Sequence, residues 1–398
     1  MALDRPSPLP PGPIAVRRMN LSTLMRLVHT RGPISRADLT RATGLNRSTV
    51  GVLLAELSDH GLVVAGEPAT GRTVGRPSPM IHPTAALGAL TVYPDADAVD
   101  VALVGLGGNV LYRTRRPVAA APTPQQTVDL TAQLIAELPP EVSRLRLLGV
   151  GMAVPGLVRT ADGFVHMAPH LPWRDVPIAD LMRQGTGLPT WADNDATLGT
   201  VAEAIFGAGR RAETMVYLHG GSGGIGSGVR LAGTGAPGTI DGGAYLPELG
   251  HLMVNSDGRP CHCGASGCLE TEVSFEQLRS ALAREGHQVT EPGVLDAVLV
   301  GGAGGAEVQR QLGYLTTGIR NAVNAFAPDL VVLGGFLATM FDLVGDQLTR
   351  SVREQLMPPL AAVEIRRGAL GSDRIHIGAA EVVFEPLLRD PLGARMSG

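Results

Sequence analysis

Apolar positions at Leu21, Leu24, Leu27 and Val28 recur every three or four residues, which predicts a helix over 19–29. Gly32-Pro33 breaks it. Ser35, with Asp38 three residues on, reads as the N-cap of a second helix ending near Thr43, and Gly44 makes the turn. Asn46 caps a third helix, Arg47 to Asp59, with Val50, Leu53, Leu54 and Leu57 as its apolar stripe. Leu62 to Val64 then reads as a strand, with Met80 to His82 as its return across a loop rich in Gly and Arg. Two short helices joined by a glycine turn and followed by a β-hairpin predict a winged helix-turn-helix over 17–83, after a proline-rich disordered tail over 1–16.

From Ala86 the period changes. Short apolar runs at 90–93, 100–104, 110–113, 147–154, 214–218, 225–230 and 330–333 read as strands. Helical stretches at 127–138, 180–187, 196–206 and 308–326 alternate with them. A last strand is expected at 375–377, with a closing helix over 378–388. This alternation predicts an α/β body with a cleft. The expected division is a first lobe over 84–195 plus 378–398 and a second over 196–377. No 18-residue apolar run occurs, so no membrane span is expected and a cytoplasmic location is.

Charge sharpens the division. The chain has 33 basic and 37 acidic residues, net −4, but the first 90 residues hold ten arginines against five acids, or +5. The remaining 308 residues carry −9, so a polyanion-binding head on an acidic body is indicated. Within the head, Asn46, Arg47, Ser48 and Thr49 open the third helix, where recognition helices meet base edges. Arg36 stands on the second helix, placed for phosphates. Arg72 and Arg76 lie in a Gly-Arg-rich loop whose extended arginines suit an A·T-rich minor groove. The expected partner is a double-stranded DNA operator.

Glycine numbers 52 of 398, nearly twice the usual ~7%. The excess gathers in backbone-approach loops such as 220–228. The three cysteines are too few for a disulfide framework and lie within eight residues. His251, Cys261, Cys263 and Cys268 form a soft four-donor set suited to structural Zn²⁺, with His262 as a competing neighbour.

The stretches Glu248-Leu249-Gly250-His251 and Cys261-His262-Cys263-Gly264-Ala265-Ser266-Gly267-Cys268-Leu269-Glu270 resemble the signature of the ROK family. That family comprises sugar-responsive repressors and bacterial sugar kinases. Val154-Pro155-Gly156, Asp193-Asn194-Asp195-Ala196 and the 220–228 loop are similar to its other motifs. The resemblance implies an actin/hexokinase-like two-lobe body with a zinc knuckle. It also implies a sugar site at Gly156, Asn194, Asp195, Glu248, His251 and Glu270. Asp195 also stands where a helix starting at Ala196 needs an N-cap, and surface acids are the alternative reading of Glu248 and Glu270. The winged head matches the repressor branch, which implies a sugar- or sugar-phosphate effector and a homodimer or homotetramer. The kinase branch is the alternative. It would use Asp195 as base and needs an Asp-x-Gly-Gly-Thr phosphate loop, where this chain has Tyr93 and then Asp95-Ala96-Asp97. Carboxylates there oppose a phosphate, so neither bound ATP nor catalysis is expected. His170, in His170-Leu171-Pro172-Trp173, departs from the family pattern.

Overall fold

The structure is a computed structural model that describes residues 12–393, except 68–78, 222, 232–246 and most of 290–303. Helix α1, Pro13–Arg31, opens the head. Residues 13–16, expected in the tail, belong to it, because proline is tolerated in a first helical turn, where its missing N–H has no partner to lose. Residues 1–11 lie outside the described residues. Helix α2 is Arg36–Thr43, capped by Ser35, whose Oγ accepts from Asp38 N at 3.1 Å. Gly44 ends it in the left-handed region at φ 69°. Helix α3 is Arg47–Asp59, with the expected stripe buried. Strands β1 (Ile34–Ser35), β2 (Val63–Gly66) and β3 (Met80–Pro83) form a sheet of order β1-β3-β2.

Among the described residues the body holds two larger sheets and a small one. In the first, β4 (Leu87–Pro94), β5 (Ala98–Gly105) and β6 (Asn109–Pro117) form an antiparallel meander. After α4 (Pro124–Ala136) and a short turn α5 (Pro140–Ser143), β7 (Arg146–Val154) pairs parallel to β4. A small antiparallel sheet follows, of β8 (Leu157–Arg159), β9 (Phe164–Ala168) and β10 (Trp173–Val176). Then α6 (Ile178–Thr186) leads to β11 (Thr190–Asn194), parallel to β7, and α7 (Asp195–Ile205) starts at its end. In the second sheet, β12 (Met215–Gly220) pairs antiparallel with β13 (Ile225–Arg230). Beyond α8 (Leu269–Glu272), α9 (Phe275–Arg284) and α10 (Gly305–Phe326), β14 (Leu330–Gly335) runs parallel to β12. Helix α11, Phe336–Arg353, leads to the edge strand β15, Glu364–Arg367.

The chain's last helix, α12, is Arg374–Arg389. The strand expected at 375–377 is its first turn. Ile375-His376-Ile377 alternates like a strand, yet every residue from Ile375 to Phe384 is buried. A helix enclosed on all sides shows no amphipathic stripe to mark its start. Its glycines admit close neighbours: a Cβ on Gly378 would lie 2.0 Å from the Leu198 carbonyl of α7. Helices α7 and α12 therefore cross in contact between the sheets.

Head and body share one core. Leu21, Met25, Val28 and Leu57 of the head join Leu106, Phe384 and Leu388 in a single buried cluster. Helices α1 and α12 lie antiparallel: Ser22 donates to the Leu388 carbonyl (2.7 Å), Arg26 pairs with Glu385 (2.7 Å), and His29 meets Glu381 (2.9 Å). Among the described residues no helix is long and apolar enough to cross a membrane.

Candidate functional site

The end of β11 and the start of α7 place the first polar group. Asn194, not Asp195, is the N-cap of α7: its Oδ1 accepts from Ala196 N (2.9 Å) and Thr197 N (3.0 Å). Asn194 Nδ2 donates to the Gly156 carbonyl at 2.9 Å, which brings two expected site positions into contact. Asp195 is the first helical residue. Burial pushes its carboxyl up to about 6, while the Arg374 guanidinium pulls the other way. Tyr93 neighbours it, and burial together with the Asp195 and Asp95 charges holds the Tyr93 phenol well above its usual range. In the turn after β4, Arg115 reaches both Asp97 (2.5 Å) and Asp95 (3.4 Å).

The second group is the cysteine knuckle. The donor atoms of His251, Cys261, Cys263 and Cys268 all lie within 4.8 Å of one another. Cys261 Sγ is 3.5 Å from His251 Nδ1, and Cys263 Sγ is 3.7 Å from Cys268 Sγ. A tetrahedral Zn²⁺ with Zn–S near 2.3 Å has ligand–ligand edges of about 3.5–3.8 Å, so the donor set fits the ion. His262 is half exposed. Glu270, on α8, is almost fully buried against the knuckle, with Oε1 3.1 Å from Cys261 Sγ, 3.5 Å from His251 Nδ1 and 3.2 Å from His262 Nδ1. Glu248 is exposed, and its carbonyl accepts from His251 N.

The strand-entry segment 224–226 links the two groups. A Cβ on Gly224 would lie 2.4 Å from Glu270 Oε2, and one on Gly226 would lie 2.7 Å from Ala196 Cβ. Glu270 and the Asn194–Asp195 pair thus flank the same glycine segment. His170 sits beside Gly223, where a Cβ would lie 2.5 Å from Nε2. Glu248 is brought to the His251 backbone but makes no ion pair among the described residues.

Sequence reasoning missed Arg374 and His219. Arg374 donates to His219 Nε2 and, through NH1, to the Gly371 carbonyl at 2.8 Å. Its signal was hidden by reading the next three residues as a strand.

In the head, Arg36 and Arg47 are exposed at the starts of α2 and α3. Asn46 Oδ1 is occupied locally, accepting from Thr49 N (2.8 Å) and the Ser48 hydroxyl (2.7 Å). Arg72 and Arg76 lie outside the described residues.

A three-helix head with a small antiparallel sheet, fused to a mixed α/β body with a Cys₃His cluster beside its glycine segment, defines the class of protein. The ROK family profile matches residues 95–385, and the chain belongs to this family. It is 26% identical over 382 residues to a xylose repressor of Bacillus spizizenii, covering 94% of this chain and 97% of that protein. It is 32% identical over 262 residues to a glucokinase of Halalkalibacterium halodurans, covering 61% of this chain and 77% of that protein. Among solved structures, a ROK family transcriptional regulator described as a homologue of Escherichia coli Mlc superposes with a TM-score of 0.75 at 23% identity, over 95% of this chain and 98% of that one.

Proposed function

We propose that this protein is a sugar- or sugar-phosphate-responsive, DNA-binding transcriptional repressor of carbohydrate genes. The observation that carries this is a shared core: the head, with Arg36 and Arg47 exposed, and the body, with Asn194, Asp195 and Glu270 at its glycine segment, are joined through α1 and α12. The xylose repressor relative, aligned over nearly the whole chain, supports it. In this reading the head spans 17–83, and Arg36, Asn46, Arg47, Ser48, Thr49, Arg72 and Arg76 face DNA. Asn46 and Ser48 act chiefly by fixing the start of α3. A homodimer or homotetramer sets two recognition helices about one DNA turn apart.

The sugar hydroxyls meet Asn194, Asp195, Glu248, His251 and Glu270, with the Gly156 backbone beside them. Carboxylates and amides suit hydroxyls, which both donate and accept. His251, Cys261, Cys263 and Cys268 would hold Zn²⁺. The ion supplies rigidity, keeping His251 and Glu270 in register with the glycine segment. Ligand that prefers one arrangement of the two sheets shifts the equilibrium between DNA-competent and DNA-incompetent spacings.

A second reading, ATP-dependent sugar kinase, draws on Asp195 and on the glucokinase relative. Against it stands the turn after β4. Asp95-Ala96-Asp97 stands there in place of the glycines whose backbone N–H groups would approach a phosphate, with Arg115 already paired to both carboxylates, and Tyr93 occupies the expected metal-orienting position.

Operator sequences selected from random duplex DNA, followed by fluorescence anisotropy with a sugar panel, test the proposal. Tight, salt-sensitive binding is expected, changed by at least one sugar and left unresponsive in Glu270→Ala. ADP release above background on the same panel, lost in Asp195→Asn, would instead establish the kinase.

A further inference from the structure

Arg374 is the first residue of α12, and its guanidinium crosses from the α12 side of the cleft to β12. Its stem runs along α7: a Cβ on Gly199 would lie 3.6 Å from Arg374 Cδ and 3.7 Å from Nε. Gly199 is four residues after Asp195, so both face the same side of α7. Arg374 thus lies one helical turn from the Asp195 carboxylate, and its charge is felt there.

Both hydrogen-bond partners of Arg374 are uncharged. Gly371 offers a carbonyl. His219 accepts at Nε2, and burial beside the guanidinium drives this ring well below the usual histidine range, so it stays neutral. The Tyr217 hydroxyl lies 3.3 Å from His219 Nδ1 and closes the group. Arg113 and Arg310, by contrast, meet acids, Asp100 at 2.6 Å and Glu307 at 2.7 Å. Arg374 forms no ion pair among the described residues, and it is only half buried. A guanidinium has five N–H donors, so two bonds leave capacity for an oxyanion.

We propose that Arg374 forms an anion subsite beside Asp195, and that the effector is a phosphorylated sugar rather than a neutral one. This rests on the sugar-responsive reading above and narrows it. The sugar ring takes Asn194, Asp195 and Glu270. Its phosphate accepts charge-assisted hydrogen bonds from Arg374, whose geometry suits a phosphate's paired oxygens. Asp195 is a counterweight: its carboxylate repels the phosphate, so the ester is directed along α7 toward Gly199, where the guanidinium is.

Isothermal titration of the zinc-loaded full chain tests this with three pairs: glucose, mannose and N-acetylglucosamine, each beside its 6-phosphate. At least one phosphate should bind about tenfold or more tighter than its parent, the gain of one charge-assisted contact. Arg374→Gln should bring the ratio of phosphate to parent affinity back to about one, whatever it does to both through Asp195, while Arg374→Lys keeps part of the gain. Equal or tighter binding of every neutral parent overturns the subsite, as does equal weakening of both partners in a normally melting Arg374→Gln protein. If a neutral sugar binds and releases the operator while its phosphate does not bind, this proposal alone falls. If no member of any pair binds, the sugar-responsive reading falls with it.

Discussion

Asp193 is 4% exposed at the end of β11, one residue before the cap of α7. Its Oδ1 accepts from Asn194 N (2.7 Å) and the Thr160 hydroxyl (3.2 Å), while its buried Oδ2 has no hydrogen-bond partner. Burial therefore pushes its carboxyl from 3.8 up to about 6, against the pull of those two bonds. A folded state with the higher value holds its proton more tightly than the unfolded chain. This favours folding below about pH 4, and the contribution is lost as pH rises through about 6. Asp193→Asn keeps the neutral shape, so its stability relative to wild type should rise by about 1–3 kcal/mol between pH 4 and 8. Urea unfolding at the two pH values reads this, and a gap that stays constant with pH counts against a buried neutral carboxyl.

At the scale of elements, the caps are separable from the surfaces they support. Asn46→Ala should cost about 1 kcal/mol by removing the Thr49 N–H partner. Operator affinity should fall with it, because the exposed face at Arg47 depends on the first turn of α3. Chemical denaturation alongside anisotropy tests both. The knuckle is tied by loop hydrogen bonds and isolated bridges, not by a regular sheet: Cys261 N donates to the Ala265 carbonyl (2.8 Å) and Gly267 N to the Arg259 carbonyl (2.8 Å). Under the proposed zinc assignment, a chelator should lower the melting temperature and abolish the proposed sugar binding; an unchanged melt after verified metal removal would refute that assignment.

Both features were legible in the sequence because their determinants are local. Ser35 and Asn46 cap the helices they precede, and the four donors fall within eighteen residues. The sheet of β8 to β10 and the edge strand β15 were not legible. Glu364-Ile365-Arg366-Arg367 shows one apolar side chain, and its pairing partner β14 lies 34 residues earlier. The sequence offers Asp195 as a cap for the helix that follows, but the capping role belongs to Asn194, since adjacent Asn and Asp offer the same donor-accepting chemistry. Arg374 was missed because its meaning depends on His219, 155 residues away.

On the scale of the molecule, His29 is where the parts meet. It is 1% exposed, in the last turn of the head's first helix. Gly107 N donates to its Nδ1 (3.0 Å), so its ring proton lies on Nε2 and is given to Glu381. The ring also meets Phe206, just past α7, edge-on at 5.4 Å, and Phe384 of α12 at 5.7 Å. The two helices that begin at Asp195 and Arg374 therefore both reach the head at His29. His29→Ala should cost about 2–4 kcal/mol through the cavity and the buried Glu381 left unpaired. It should also leave sugar affinity intact while weakening the operator's response to sugar, a split that titration and anisotropy resolve together. Calorimetry of the wild type should show head and first sheet melting in one transition; two separate transitions would argue against the shared core.

The docking of α1 on α12 has a further consequence for the newly made chain. Ser22 and Leu388 are 366 positions apart, and His29 and Glu381 are 352 apart. As the polypeptide leaves the ribosome, the three-helix head emerges before α12, and its buried face has no cover until residue 389 is out. A half-synthesised chain therefore carries a head with an exposed apolar side and an unpaired Arg26. Under the proposed function, occupation of an operator would then be a property of finished molecules, and translation to the far end would act as a proofreading step.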